Sequence, residues 1–296
     1  MQCPLSFRYA YCVLVSQKTV IRCLTAVLLA ASASLAHAGP FDPQVGQPGA
    51  LGIPAASPLF TEWASSVASL NRGPEDIANP SLGLASVGTA SNALGSPVGN
   101  ASRVVSLGDG GSITVGFNMP IKNGPGPDLA VFENGFLSGG ASQAFLELAT
   151  VAVSSDGTNF FTFPDVSDTQ TTTQVGGSGL LDASNLYDLA GKYIAGYGTG
   201  FDLSELANVS PLLNVNDITA VRITDVVGSI DPQYGTKDSL GNLINDPFPT
   251  PFTSSGFDLN AVGAINVVPE PSGLFLGLTA LVAVGALKIT RSHRRV

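Results

Sequence analysis

Apolar residues are unevenly distributed along this chain of 296 residues. Two uncharged runs of apolar or small residues lie near its ends, at 23–35 (CLTAVLLAASASL) and 273–287 (GLFLGLTALVAVGAL). Between them, from residue 102 onward, apolar and polar positions tend to alternate, as in strands with one face buried. SITVGF (112–117) follows the turn residues Asp109-Gly110-Gly111, and DLAVFE (128–133) follows Gly124-Pro125-Gly126-Pro127. LELATVAVS (146–154) alternates, Ser155-Asp156-Gly157 interrupts it and NFFTFP (159–164) resumes, which is the pattern of a β-hairpin. TAVRITDV (219–226) and AVGAINVV (261–268) are further strands. Short strands, frequent turns and little helical signal predict a mainly β fold, an antiparallel β-sandwich or jelly roll over 102–268.

The rest of the pattern is less regular. Residues 39–57 are rich in Gly, Pro and Ala and read as a linker or loosely docked arm. Leu59, Trp63, Val67 and Leu70 share one face if 58–70 (PLFTEWASSVASL) is a short amphipathic helix, so 39–101 is expected to be a linker with one helix. Residues 71–101 read as loop and 165–200 as a loop-rich insertion, with a short helix near 182–190. Asp202 is placed as the N-cap of a helical turn over 202–206. No internal repeat is visible.

The two apolar ends carry different signals. Residues 1–22 hold Arg8, Lys18 and Arg22 and no acid, the apolar run follows, and Ala36-His37-Ala38 closes it. A basic start, a short apolar stretch and an A-x-A site make a secretory signal peptide over 1–38, cut by signal peptidase after Ala38. An uncleaved anchor is the alternative, although the run is short of the about 20 residues a spanning helix needs. The basic start is long enough that translation could begin further downstream. At the other end, residues 272–287 carry no charge, and Lys288 can snorkel so that 272–289 spans the inner membrane. Lys288, Arg291, Arg294 and Arg295 then stay on the cytoplasmic side. Both ends agree on an exported domain.

Val268-Pro269-Glu270-Pro271, the apolar run and the basic end together resemble the PEP-CTERM sorting signal, over 269–296. The resemblance implies a Gram-negative surface or extracellular-matrix protein recognised by an exosortase, a membrane cysteine transpeptidase, and associated with exopolysaccharide and biofilm. A plain single-span anchor is the alternative. Pro269 and Pro271 also hold the segment extended and keep it out of any following helix.

Composition narrows the chemistry of the domain between. Cys3, Cys12 and Cys23 all precede residue 39, and His37 and His293 lie outside 39–268. Disulfides, Ser-His-Asp and Cys-His nucleophilic sites, and zinc sites built on His or Cys are therefore excluded from it. Oxygen-ligand cation sites and carboxylate-pair hydrolysis survive. Residues 39–268 hold 21 of the chain's 22 Asp+Glu but 6 of its 13 Lys+Arg, a balance of −15. That charge argues against nucleic acid and anionic lipid, and is compatible with calcium or with solubility alone.

Six strings, SLGDGGSITVGF (106–117), GPGPDLAVFENGF (124–136), VAVSSDGTNFFTFP (151–164), AGKYIAGYGTGFDLSEL (190–206), VRITDVVG (221–228) and GFDLNAVGAINV (256–267), resemble a family of bacterial cell-surface proteins often joined to sorting signals. VSSDGTNF and AVRITD are also similar to discoidin-type and other galactose-binding-like jelly rolls. The latter resemblance implies a structural calcium held by an early-strand Glu and a last-strand Asp, here Glu133 and Asp258, with Asp128 and Asn134 as further candidates. Position 260 is Asn where an Asp is expected in that form. The structural alternative is that Glu133 and Asp258 cap turns or pair with Arg222 or Arg103.

Asp225, Asp231, Asp238 and Asp246 are expected on solvated loops. Trp63, Tyr187, Tyr193, Tyr197 and Tyr234 are equally suited to sugar stacking and to packing. Three functions remain open: a non-catalytic exopolysaccharide-binding module, a structural or adhesive protein-binding surface protein, and a glycan-active enzyme using two carboxylates such as Glu133 and Glu147.

Overall fold

Two five-stranded antiparallel sheets build the core of the protein. The computed structural model describes residues 39–269, apart from 101, 139 and 141. In chain order the strands are β1 (Ile53–Pro54), β2 (Glu62–Trp63), β3 (Ser66–Asn71), β4 (Val105–Ser106), β5 (Ser112–Ile121), β6 (Leu129–Phe132), β7 (Phe136–Leu137), β8 (Gln143–Phe145) and β9 (Ala149–Ser154). They continue with β10 (Phe161–Thr162), β11 (Val166–Ser167), β12 (Leu181–Asp182), β13 (Leu186–Tyr187), β14 (Tyr197–Phe201), β15 (Ile218–Asp225), β16 (Asp258–Leu259) and β17 (Ala261–Ala264). The fold is mainly β, as expected, and every pairing among these strands is antiparallel.

One sheet runs β1-β14-β6-β17-β2 and the other β10-β9-β15-β5-β3. Alternation in the second sheet sends Ile113 and Val115 of β5, Val151 and Val153 of β9, and Val221 and Ile223 of β15 into one cluster. Leu129 and Val131 of β6 and Val262 and Ala264 of β17 join that cluster from the first sheet. The intervening residues of the first sheet are buried as well. Ala130, Phe132 and Ala261 pack with Ile53, Phe60 and Trp63 on its other side. Phe60, Trp63 and Phe132 form a triangle of rings with centroids 4.7–5.5 Å apart. Burial on both faces explains why LAVF reads as a continuous apolar run. A third cluster, around Leu146, Leu148, Leu181, Leu186 and Leu189, sits under the segment expected to be a loop-rich insertion.

The hairpin of β9 and β10 forms as the sequence predicts. Asp156 accepts hydrogen bonds from the Thr158 and Asn159 amides at 2.8 and 2.7 Å, and Gly157 takes φ +72°, so an Asx-type turn reverses the chain. The helical turn also forms, as a 3-10 turn over Leu203–Leu206 with the Asp202 carboxylate accepting from the Ser204 amide.

Two expectations are corrected. The helix expected over 58–70 is instead β2 and β3, and β3 pairs with β5. A register shift between Val67 and Ser69 spaces the apolar residues three apart, which imitates helical periodicity. The helix near 182–190 is only a 3-10 turn, Ala183–Asn185, followed by β13. The segment 39–101 is consequently part of the domain: β1 closes one edge of the first sheet on β14, β2 closes the other on β17, and β3 forms an edge of the second.

The signal-peptide residues Ala36 and Ala38, the sorting residues Glu270 and Pro271, the span 272–289 and the tail residues Lys288, Arg291, Arg294 and Arg295 lie outside the described residues. Among the described residues no helix is long and apolar enough to cross a membrane. Val268 and Pro269 are described. The Val268 amide donates to Pro120 O at 2.9 Å, and Pro269 is exposed.

Candidate functional sites

Carboxylates gather in two places, one inside the fold and one at its surface. The internal group grows from strand ends. Glu133 and Asn134 follow β6, Asp258 opens β16, Asp225 ends β15, and Glu147 lies between β8 and β9. Glu133 is 1% exposed, Asp225 and Asp246 3% each, Asp109 5%, and Glu147 and Asp258 7% each.

The structure brings Glu133, Asn134 and Asp258 together. The Asn134 side-chain amide donates to Asp258 Oδ2 at 3.0 Å, Ser106 Oγ donates to Asp258 Oδ1, and the Asp258 charge acts on Glu133. The cation facing Asp258 is Arg72 rather than Arg103 or Arg222. Arg222 instead lies over the Phe160 ring at 3.6 Å. Glu133 Oε2 accepts from the Gly135 amide at 2.5 Å, so it does cap a turn, while Glu133 Oε1 is buried without a partner. Asp128 is elsewhere. Its oxygens accept from the Gly124 and Leu203 amides and from the Asn266 side chain at 2.7–2.9 Å, which accounts for it as a loop clamp. Asn260 is buried and donates to Asn100 O and Arg103 O, so its side-chain nitrogen is engaged with backbone carbonyls.

As a calcium site the group is incomplete. Calcium takes 6–8 oxygen ligands, and among the described residues no three or more His, Cys, Asp or Glu are arranged to hold a metal ion. The unpartnered Glu133 oxygen is the one feature that fits a cation. The same group fails as a catalytic pair for a different reason: Glu133 and Glu147 act on each other electrostatically, but both are sealed from solvent.

Burial makes these acids hard to ionise. It pushes Asp109 up to about 6 and raises Glu133, Glu147, Asp225, Asp246 and Asp258 as well. Glu147 is the extreme case. After burial, the charges of Glu133, Asp258, Asp225 and Asp246 all push it further in the same direction.

The solvated reading of Asp225, Asp238 and Asp246 is therefore corrected, while Asp231 is exposed as expected. Loops folded onto a core bring amides that water cannot reach. Asp225 accepts from the Gly110 and Phe257 amides, Asp246 from Leu148, and Asp238 from Ser167, Leu240 and Asn242.

The surface group lines a cavity of about 230 Å³. Asp42 comes from the arm before β1, Tyr187 ends β13, Asp188 follows it, Lys192 and Tyr193 lie before β14, and Glu205 sits in the 3-10 turn after it. Lys192 Nζ donates to Asp42 Oδ1 at 2.5 Å, and Tyr193 Oη donates to Asp42 Oδ2. Tyr187 Oη donates to Glu205 Oε2 at 2.9 Å. Asp188 has φ +48°, a conformation that Asp tolerates better than most residues. Burial first, and then the neighbouring Glu205 carboxylate, push Asp188 up to about 8. Burial lowers Lys192, and its bond to Asp42 works against that shift.

Of the aromatic residues weighed for sugar stacking, Tyr187 and Tyr193 line this cavity, whereas Trp63 is part of the packed ring triangle. Asp42, Lys192 and Glu205 were not marked as site residues by the sequence. The available signal was the dense polar and aromatic string 187–193 (YDLAGKY). Comparison with protein-family models and with curated proteins finds no match for this chain.

Proposed function

We propose that the protein is an exported, exosortase-sorted surface or extracellular-matrix protein whose jelly-roll-like β-sandwich domain is a non-catalytic module that binds exopolysaccharide. The observation carrying the binding part is the surface cavity, in which the half-buried Tyr187 shares the walls with Asp188, Asp202 and Glu205. Sugars are recognised by such a combination, an amphipathic ring beside charged groups that hydrogen-bond hydroxyls. Sealed carboxylates at Glu133 and Glu147 favour this reading over a glycan-active enzyme. Export and sorting rest on the two chain ends, with signal peptidase and exosortase as processing partners and the inner membrane as a transient one.

Calcium enters this reading only as a test. Glu133, Asn134 and Asp258 supply a partial donor set, and no step of binding is routed through a metal. The experiment is co-sedimentation of the purified protein with exopolysaccharide from the producing strain, with calcium and with chelator. Binding in both conditions supports a metal-independent glycan module. Binding lost on chelation adds calcium to it. No binding in either condition overturns the reading in favour of a structural or protein-adhesive role.

A further inference from the structure

The surface cavity has an excess of negative charge that its own cation does not cancel. Lys192 is already paired with Asp42, which leaves Asp188, Asp202 and Glu205 among the lining residues without a lysine or arginine of their own. One oxygen at this wall is also unpartnered: Thr199, 5% exposed, lines the cavity, and its Oγ1 makes no hydrogen bond. A buried polar atom of this kind is normally satisfied, so it points to a missing partner.

We propose that this cavity binds one hydroxylated sugar unit carrying a free primary amine, a hexosamine, with its ammonium held among Asp188, Asp202 and Glu205. This rests on the glycan-binding reading and names the sugar class for it. Several features favour this ligand class. About 230 Å³ is small beside the ~300–1,000 Å³ of pockets for drug-sized ligands, so it suits one ring rather than an oligosaccharide. Uronic acids and sulfated sugars would bring a further negative charge to the Asp202 and Glu205 carboxylates, which lie beside a protonated Asp188. A neutral sugar brings no charge to balance those two acids, whereas an ammonium does so and supplies donors.

The groups facing Asp188 support the same reading. Glu205 and Asp165 repel its charge and Lys192 attracts it, so the acidic neighbours prevail and Asp188 holds a proton near neutral pH that an incoming ammonium can displace. Tyr187 and Tyr193 stay protonated, since burial and the neighbouring acids raise both, and their hydroxyls are already donated to Glu205 and Asp42.

The test uses the full chain in mild detergent, titrated calorimetrically near neutral pH with D-glucosamine, glucose and N-acetylglucosamine. Glucosamine is expected to bind at least about tenfold more tightly than either neutral sugar, a difference of one order in Kd. Asp188→Asn, which suits the left-handed backbone, and Glu205→Gln, which keeps an acceptor for Tyr187, should each reduce glucosamine affinity by about tenfold. Their melting curves should match the parent's. Equal affinity for the three sugars, or no glucosamine binding by a folded protein, overturns the proposal. If glucosamine fails while exopolysaccharide still co-sediments, only the amine is wrong. If both fail, the glycan-binding reading falls with it.

Discussion

The two groups of carboxylates use the same chemistry for opposite ends. Inside, Asp225 and Asp246 are spent on backbone amides, and the acids around them are difficult to ionise because water has been removed. At the surface, Asp188 is also difficult to ionise, but a second carboxylate beside it adds to burial as the cause, and the cavity leaves room for a counter-charge. An acid count cannot separate these cases. What separates them is whether each oxygen already has a donor and whether solvent reaches the group.

The sharpest way to break the comparison is to remove an internal acid that holds backbone. Asp225→Ala strands the Gly110 and Phe257 amides, and at about 1–3 kcal/mol per orphaned group the loss should reach about 3 kcal/mol in denaturant unfolding. A loss under about 1 kcal/mol would mean those amides find water, and the internal group is not sealed.

Next in size is the response to pH. A carboxyl whose pKa is raised by folding binds more protons in the folded state, so its contribution is full below about pH 4 and is lost as pH rises. Asp109 at about 6 and Asp188 at about 8 place that loss between about pH 4 and pH 8. Thermal melting should therefore show a lower Tm at pH 8 than at pH 5, by about 2–4 °C for each kcal/mol lost. Added calcium would reduce only the part of this fall that belongs to Glu133 and Asp258, if a cation replaces their protons. A Tm that rises steadily from pH 5 to pH 8 without calcium contradicts the picture of the internal acids.

Glu147→Gln should do the reverse of Asp225→Ala. Its charge meets burial and four carboxylates, so neutralising it should stabilise the fold at neutral pH by about 1 kcal/mol. Destabilisation instead would assign the Glu147 charge a cation. The smallest effect belongs to the surface. Tyr187→Phe deletes one half-exposed hydrogen bond to Glu205 and should cost about 0.5 kcal/mol in unfolding experiments.

The sequence made the strands legible where alternation and turn chemistry coincide. SITVGF and TAVRITDV pair with each other as β5 and β15, and Ser-Asp-Gly turns β9 into β10. It misled where one residue is added to a strand: the bulge between Val67 and Ser69 turned the period of two into a spacing of three between Val67 and Leu70. Of the residues weighed as calcium ligands, Glu133, Asn134 and Asp258 lie together, and Asp128 lies elsewhere. The cavity stayed hidden because Asp42 and Tyr193 are 151 positions apart, and no local pattern announces a contact at that distance.

The place of β17 has a mechanical consequence. It lies between β6 and β2, antiparallel to both, and the backbone just beyond it is tied across to β5 by the Val268–Pro120 hydrogen bond and the Ile121–Val267 bridge. A pulling force applied at Pro269 would thus first strain the link between the sheets and then enter along an interior strand. There the ladder bonds lie across the pull and resist together in shear, whereas a peeled edge strand yields one bond at a time.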